Sequence, residues 1–151
     1  MFGKKRKRER QNDGPGPAGS GAAAVGLGEM LEEISRKYKR REAIHFEGRS
    51  IPYSELNDNV NRVAGGLEAL GIGQGNRVAM MLPNIPEFAY VFFGIQKLGA
   101  VAVPFNTMYK GREISFILRD SGAKAIVCLS NFANLINEIK DESPDLQHVI
   151  V

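Results

Sequence analysis

A regular alternation of apolar strands and amphipathic helices constrains the fold of this chain more than any other feature of its sequence. The apolar runs begin at intervals of 23, 24 and 23 residues, near Val78, Val101, Ala125 and His148. Three stretches with helical spacing of apolar residues separate these runs: Pro86 to Leu98, Gly111 to Ser121, and Asn131 to Glu142. Such alternation predicts βαβ units with right-handed crossovers. We therefore expect an α/β fold with a doubly wound, mostly parallel sheet that has helices on both faces.

The segment from Lys97 to Asn106 predicts how one such unit is built. Gly99 can end the preceding helix in the left-handed conformation because it has no Cβ. The run Ala100 to Val103 is apolar throughout, which indicates a strand that is covered on both faces. Pro104 cannot continue a central strand, so we expect the chain to leave the sheet there.

A helix and a small hairpin are predicted before the first of these units. The opening helix begins near Gly28, and its apolar face is formed by Leu27, Met30, Leu31 and Ile34. The basic run Arg36 to Arg41 ends this helix, where cations suit the helix dipole. Glu47-Gly48-Arg49 predicts the turn of a hairpin between the strands Ala43 to Phe46 and Ser50 to Ile51.

A longer amphipathic helix follows the hairpin. Ser54 is its predicted N-cap, Gly71 its end, and one apolar stripe contains Leu56, Val60, Val63, Ala64, Leu67 and Leu70. Gly65 and Gly66 lie inside this helix, where a glycine costs about 1 kcal/mol relative to alanine. Their presence favours close packing against a neighbouring element. The loop Gly71 to Gly75 follows a helix and precedes a strand, which is the reverse of a phosphate-binding loop.

The formal charge of +3 is concentrated at the amino terminus. Residues 1–24 contain six Lys and Arg residues against two acidic ones, so the rest of the chain is close to neutral. This segment is rich in Gly, Pro and Ala, and we expect it to be a disordered tail. Lys4 to Arg8 has the composition of a nuclear-localisation or nucleic-acid patch, although such a short run is more often only a solvated terminus. We find no signal-peptide pattern and expect a cytoplasmic protein.

The usual catalytic constellations are absent from the sequence. Cys128 is the single cysteine and lies in an apolar run, which predicts a buried thiol. His45 and His148 have no second histidine at ligand spacing. The predicted carboxyl ends of the strands, Pro83-Asn84 and Pro104 to Thr107, form the edge where such sheets bind ligands. At this edge, Asn84 is explained as a helix N-cap and Asn106 as a turn residue.

Four motifs, in order, resemble the adenylate-forming (AMP-dependent synthetase/ligase) superfamily, in its fatty-acyl and aryl-CoA synthetase branch. They are Ile51 to Leu56, Met81 to Phe88, Lys97 to Asn106, and Lys110 to Ile114. The similarity runs from about Leu27 to Val151 and does not cover residues 1–24. It implies that residues 25–151 are the amino-terminal part of the large AMP-binding domain, which would be incomplete in this chain.

The resemblance implies an acid–thiol ligase that uses ATP, Mg²⁺ and coenzyme A. A carboxylate, predicted to be a fatty acid, would form an acyl-adenylate and then a thioester with coenzyme A. The family's phosphate-binding loop and catalytic lysine lie downstream of the matched region. We therefore assign no catalytic, cofactor-binding or metal-binding residue here, and expect this chain alone to be an inactive scaffold that binds no cofactor.

A second hypothesis treats the chain as a non-catalytic module that binds nucleic acid or an anionic membrane through its basic tail. Such binding would weaken steeply as the salt concentration rises. We favour the ligase interpretation and expect no nucleic-acid partner, while peripheral contact with a membrane stays open.

Overall fold

The computed structural model describes residues 26–151, and the predicted alternation of strands and helices is present there. The elements, in chain order, are α1 (Leu27–Lys37), β1 (Glu42–Phe46), β2 (Arg49–Pro52), α2 (Tyr53–Ala69), β3 (Arg77–Met81), α3 (Pro86–Lys97), β4 (Val101–Pro104), α4 (Gly111–Ser121), β5 (Ala125–Cys128), α5 (Ala133–Ile139) and β6 (His148–Ile150). Short 3-10 turns flank α5 on both sides. The basic tail, residues 1–24, lies outside the described residues, so its disorder stays a prediction.

The strands form a small hairpin and a larger parallel sheet. β1 and β2 pair antiparallel around the predicted turn. The other four strands are parallel in the order β4-β3-β5-β6. The chain therefore moves from β3 outward to β4, returns past β3 to β5, and continues to β6. This reversal of strand order confirms the predicted doubly wound α/β fold.

Alternating side chains of β3 enter two separate hydrophobic cores. Val78 and Met80 lie in the core formed with α2 and α3, whereas Ala79 and Met81 lie in the core formed with α4 and α5. All four side chains are fully buried. Because successive residues of a strand point to opposite faces, β3 ties the two layers of helices to one sheet.

The position of β4 differs from the sequence prediction. Within residues 26–151 this strand lies at one edge of the sheet, and 47% of Val101 is exposed, so the strand is not covered on both faces. The amides of Val101 and Phe105 donate to carbonyls of the β3 side, Asn76 and Met80, at 2.8 and 3.0 Å. By the same alternation Pro104 directs its nitrogen outward, where a missing N–H breaks no bond of the ladder. The strand does end at Pro104, as predicted.

Glycines in the left-handed conformation end the helices where the sequence predicts. Gly71 has φ of 73° after α2, and Gly99 has φ of 64° after α3. The loop Gly71 to Gly75 connects α2 to β3, and Gly75 N donates to Gly99 O at 2.9 Å. The loop therefore ends a helix, as predicted, and it also packs against the next helix–strand junction.

Two details of α2 were predicted wrongly. The helix begins at Tyr53 with Pro52 as its N-cap, so Ser54 does not cap it. A Cβ placed on Gly65 or Gly66 would meet no atom of the described residues within 4 Å, so neither glycine makes a close contact. The close approach comes from α3 instead, because a Cβ on Gly94 would lie 2.8 Å from Val63 Cγ1 and 3.3 Å from the Ala64 backbone nitrogen.

The buried face of α1 is rotated from the predicted one. Leu31 is buried as expected, but Leu27 and Met30 are exposed, and Gly28 and Ser35 are buried instead. A Cβ on Gly28 would lie 2.8 Å from the Cα of Lys97 at the end of α3. This close approach of the two helices turns Gly28, rather than Leu27, toward the neighbouring helix.

An ion pair also joins α1 to α3. Lys97 Nζ lies 2.5 Å from Glu32 Oε1 and also donates to Asn61 of α2. The hydrogen bond and charge of Lys97 lower the pKa of Glu32 below its usual range.

No helix within residues 26–151 is long and apolar enough to cross a membrane.

Replacement of Gly94 by alanine should destabilise the fold, whereas the same change at Gly65 should not. The new methyl group at position 94 overlaps Val63 and should cost about 1–3 kcal/mol of unfolding free energy. Gly65→Ala is the matched control, because it has free space and should stabilise α2 by up to about 1 kcal/mol. Urea unfolding followed by circular dichroism measures both. Equal effects of the two substitutions would show that α2 and α3 do not approach closely at Gly94.

Candidate functional site

The segments that follow β3 and β4 meet at the carboxyl edge of the sheet, as the sequence predicts. They line an open cavity of about 520 Å³. Its walls contain Leu82, Pro83, Asn84, Phe88, Pro104, Phe105, Asn106 and Thr107. We call this cavity the carboxyl-edge cavity. It is the position at which doubly wound sheets place their ligands.

Backbone and side-chain hydrogen bonds fix the shape of the turn after β4. Asn106 Oδ1 accepts from the Met108 amide at 2.9 Å, and the Asn106 carbonyl accepts from the Tyr109 amide at 3.2 Å. The ring of Tyr109 is nearly parallel to that of Phe105, with centroids 6.4 Å apart. These contacts confirm the prediction that Asn106 serves as a turn residue.

Asn84 does not have the predicted role. The N-cap of α3 is Ile85, and Pro86 is the first helical residue. The Ile85 amide donates to the Pro83 carbonyl at 2.9 Å, so a tight turn precedes the helix. Asn84 instead lines the carboxyl-edge cavity, as Asn106 and Thr107 do.

The side chains that line this cavity are apolar or polar and uncharged. Its polar side chains are two amides and one hydroxyl, and no residue in its lining is charged. Within residues 26–151 there is no group of three His, Cys, Asp or Glu side chains that could hold a metal ion. The lining of this cavity therefore offers no charged side chain to Mg²⁺ or to a triphosphate.

A second, apolar cleft lies beside the first one, and the sequence interpretation did not find it. Its volume is about 370 Å³, and α2, α3 and the ends of β5 and β6 contribute its walls. Val63, Leu67 and Leu70 line it, and the sequence assigns all three to the apolar stripe of α2. Leu82 lines both this cleft and the carboxyl-edge cavity, so the two are adjacent. A helical period identifies an apolar face but not what covers it.

The single cysteine and the two histidines lie in the core, on the hairpin and in a strand of the sheet. Cys128 is buried in the core with α4 and α5, and burial raises its thiol pKa. His45 Nδ1 lies 3.2 Å from Glu42 Oε2 on the exposed hairpin. Hydrogen bonds from Ser50 and His45 lower the pKa of Glu42. His148 lies in β6, opposite Ala125.

Comparison with known proteins gives the family of this chain. Residues 31–151 match the family described as AMP-binding enzyme, and the chain belongs to this family. It is 46% identical over 93 residues to long-chain-fatty-acid–CoA ligase FadD13 of Mycobacterium tuberculosis, covering 62% of this chain and 18% of that protein. It is 36% identical over 129 residues to crotonobetaine/carnitine–CoA ligase of Salmonella paratyphi B, covering 82% of this chain and 25% of the relative.

A solved structure has the same arrangement of elements. Mycobacterium tuberculosis fatty acyl CoA synthetase superimposes with a TM-score of 0.78 at 38% identity, over 83% of this chain and 26% of that one. The chain thus spans about a fifth to a quarter of the length of the relatives it matches. The resemblance noted in the sequence is confirmed, and the described sheet is the part of the fold that is shared.

Removal of the Asn106 side chain should loosen the turn after β4. Asn106→Ala loses the hydrogen bond to the Met108 amide, which should cost about 1 kcal/mol and increase hydrogen exchange at Met108. Asn84→Ala is the control, since the cap of α3 does not depend on that side chain. Amide exchange measured by NMR distinguishes the two variants. Unchanged exchange at Met108 in Asn106→Ala would contradict the assigned role.

Proposed function

We propose that this chain is the amino-terminal part of an ATP-dependent acid–CoA ligase. The observation that carries the proposal is the family match over residues 31–151, joined to relatives whose names state CoA ligation. In the proposed reaction a carboxylate oxygen attacks the α-phosphorus of ATP, and pyrophosphate leaves. The thiol of coenzyme A then attacks the acyl carbon of the adenylate, and AMP leaves with the electron pair of the broken bond.

The proposed role of residues 25–151 is to build one wall of the substrate cleft. The carboxyl-edge cavity and the apolar cleft share Leu82, so polar and aliphatic parts of one substrate could lie against the two surfaces. A fatty acid is the proposed substrate class, in agreement with the names of FadD13 and of the superimposed synthetase. The cytoplasm is the proposed location.

In this proposal, the residues that bind ATP, Mg²⁺ and coenzyme A and catalyse the reaction lie outside this chain. We assign no step of the reaction to residues 26–151, where no group of three His, Cys, Asp or Glu side chains could hold a metal ion. The absence of a catalytic, cofactor-binding or metal-binding residue in this chain stays a prediction. The alternative of a tail-driven binding module gains no support from the relatives.

A chimera tests the function directly. Residues 31–151 should replace the matching segment of FadD13 and yield a protein that forms acyl-CoA from a long-chain fatty acid, ATP and coenzyme A. The 151-residue chain alone should release no pyrophosphate when given the same substrates. Acyl-CoA formation and pyrophosphate release are measured on the chimera, the unmodified ligase and the isolated chain.

Two results would contradict the proposal. A chimera that unfolds at the temperature of the unmodified ligase but forms no acyl-CoA would contradict the ligase function. Carboxylate-dependent pyrophosphate release by the isolated chain would contradict its role as a scaffold, because the chemistry would then lie within these residues.

A further inference from the structure

Helix α1 has two faces that contain large apolar side chains. Its buried face includes Leu31 and packs toward α2 and α3. A second set of residues at helical spacing shares another side of the helix, which we call the outer α1 face: Leu27, Met30, Ile34, Lys37 and Tyr38. Tyr38 follows the last helical residue, but its amide donates to the Ile34 carbonyl at 2.8 Å, so it continues the helical spacing.

The fold leaves large side chains of the outer α1 face exposed. Leu27 is 43% exposed, Met30 is 40% exposed and Tyr38 is 36% exposed. The core beneath the helix takes Leu31 from α1 and none of these three. A row of exposed apolar side chains along one side of a surface helix indicates a contact surface.

Cations lie at the carboxyl end of the same face. Lys37 Nζ lies 5.2 Å from the centroid of the Tyr38 ring, and Arg41 Cζ lies 5.4 Å from it. Arg40 is exposed beside them. None of these three cations forms an ion pair within residues 26–151. The helix dipole explains Lys37, but α1 ends there, so it does not explain Arg40 and Arg41.

The nearby carboxylates do not neutralise these cations. Three of them have other partners: Glu29 accepts from the Gly26 amide, Glu32 pairs with Lys97, and Glu42 lies beside His45. Glu33 borders the outer α1 face, one turn before Lys37. Lys37, Arg40 and Arg41 outnumber this single carboxylate, so the face has a net positive charge.

We propose that the outer α1 face docks on a membrane surface that carries anionic headgroups. The three cations meet headgroup phosphates and carboxylates, and Leu27 and Met30 enter the boundary between headgroups and acyl chains. Tyr38 has an apolar ring and a polar hydroxyl, which suit that boundary. Nucleic acid would attract the cations equally but would leave Leu27 and Met30 in water, so the apolar side chains favour lipid. This docking requires no step of the proposed reaction.

Co-sedimentation of the 151-residue chain with lipid vesicles tests the surface. The chain should bind vesicles of equal parts phosphatidylcholine and phosphatidylserine, bind pure phosphatidylcholine vesicles far more weakly, and dissociate as salt is added. Lys37→Gln combined with Arg41→Gln should weaken binding about 25-fold, or about fivefold for each cation. Lys110→Gln combined with Arg112→Gln is the matched control, because it removes one exposed Lys and one exposed Arg at α4.

Uncharged and acidic positions on α1 give independent readouts. Met30→Gln should weaken vesicle binding about fivefold, since less apolar area leaves water on docking. Met108→Gln is its control, because Met108 is 82% exposed but lies after β4. Glu33→Gln should strengthen binding a few-fold, since it removes the carboxylate that borders the face.

A fluorescent reporter shows which part of the chain touches the lipid. The chain contains no tryptophan, so Tyr38→Trp introduces a single reporter on the outer α1 face. Its emission should shift to the blue on addition of the anionic vesicles and be quenched by brominated lipid. Tyr109→Trp is the control, because Tyr109 is 42% exposed but precedes α4, and its emission should not change.

Four results would overturn the proposal. They are a failure to bind the anionic vesicles, equal losses in the two double charge variants, binding without a blue shift in Tyr38→Trp, and full binding by Met30→Gln. Equal losses would show that diffuse charge explains the binding. Binding without a blue shift would place the contact elsewhere, such as in residues 1–24. Full binding by Met30→Gln, with loss in the charge variant, would identify a general surface for polyanions such as nucleic acid.

Discussion

Strand β3 is paired along both edges and covered on both faces, and the other elements take their positions from it. Its four residues from Val78 to Met81 are fully buried and alternate between the two cores. The hydrophobic effect acts on both faces at once, so a shift of one residue in register would exchange the side chains of the two cores. This constraint fixes β4 and β5 at the two edges of β3, and it fixes α2 and α3 on one face of the sheet and α4 and α5 on the other.

The placement of β3 also explains where the candidate sites lie. Because β4 and β5 both pair with β3 in parallel, their carboxyl ends reach the same edge as Leu82. The carboxyl-edge cavity and the apolar cleft both form at this edge. Helix α1, in contrast, lies in an outer layer, where Gly28 approaches Lys97 of α3 and Glu32 pairs with it.

The sequence predicts the elements better than it predicts their surroundings. The strand and helix positions, Gly99 and the turn at Asn106 follow from local conformational preferences, which the chain carries in its own residues. The edge position of β4, the exposure of Leu27 and the close approach at Gly94 depend on which neighbour each surface meets. A period of apolar residues cannot specify that neighbour, so the apolar cleft also could not be predicted. Two of the four family motifs, Met81 to Phe88 and Lys97 to Asn106, span strand–helix and helix–strand junctions of the larger sheet.

Residue-specific hydrogen exchange in β3 and β4 tests the central role of β3 most directly. The account predicts that the amides of Val78 to Met81 exchange only through global unfolding, since they lie within a ladder that is paired on both sides. In β4 the amide of Val103 should be protected by β3, whereas that of Ala102, which points outward, should exchange much faster. Fast exchange throughout β3, or equal protection of Ala102 and Val103, would contradict the proposed sheet order.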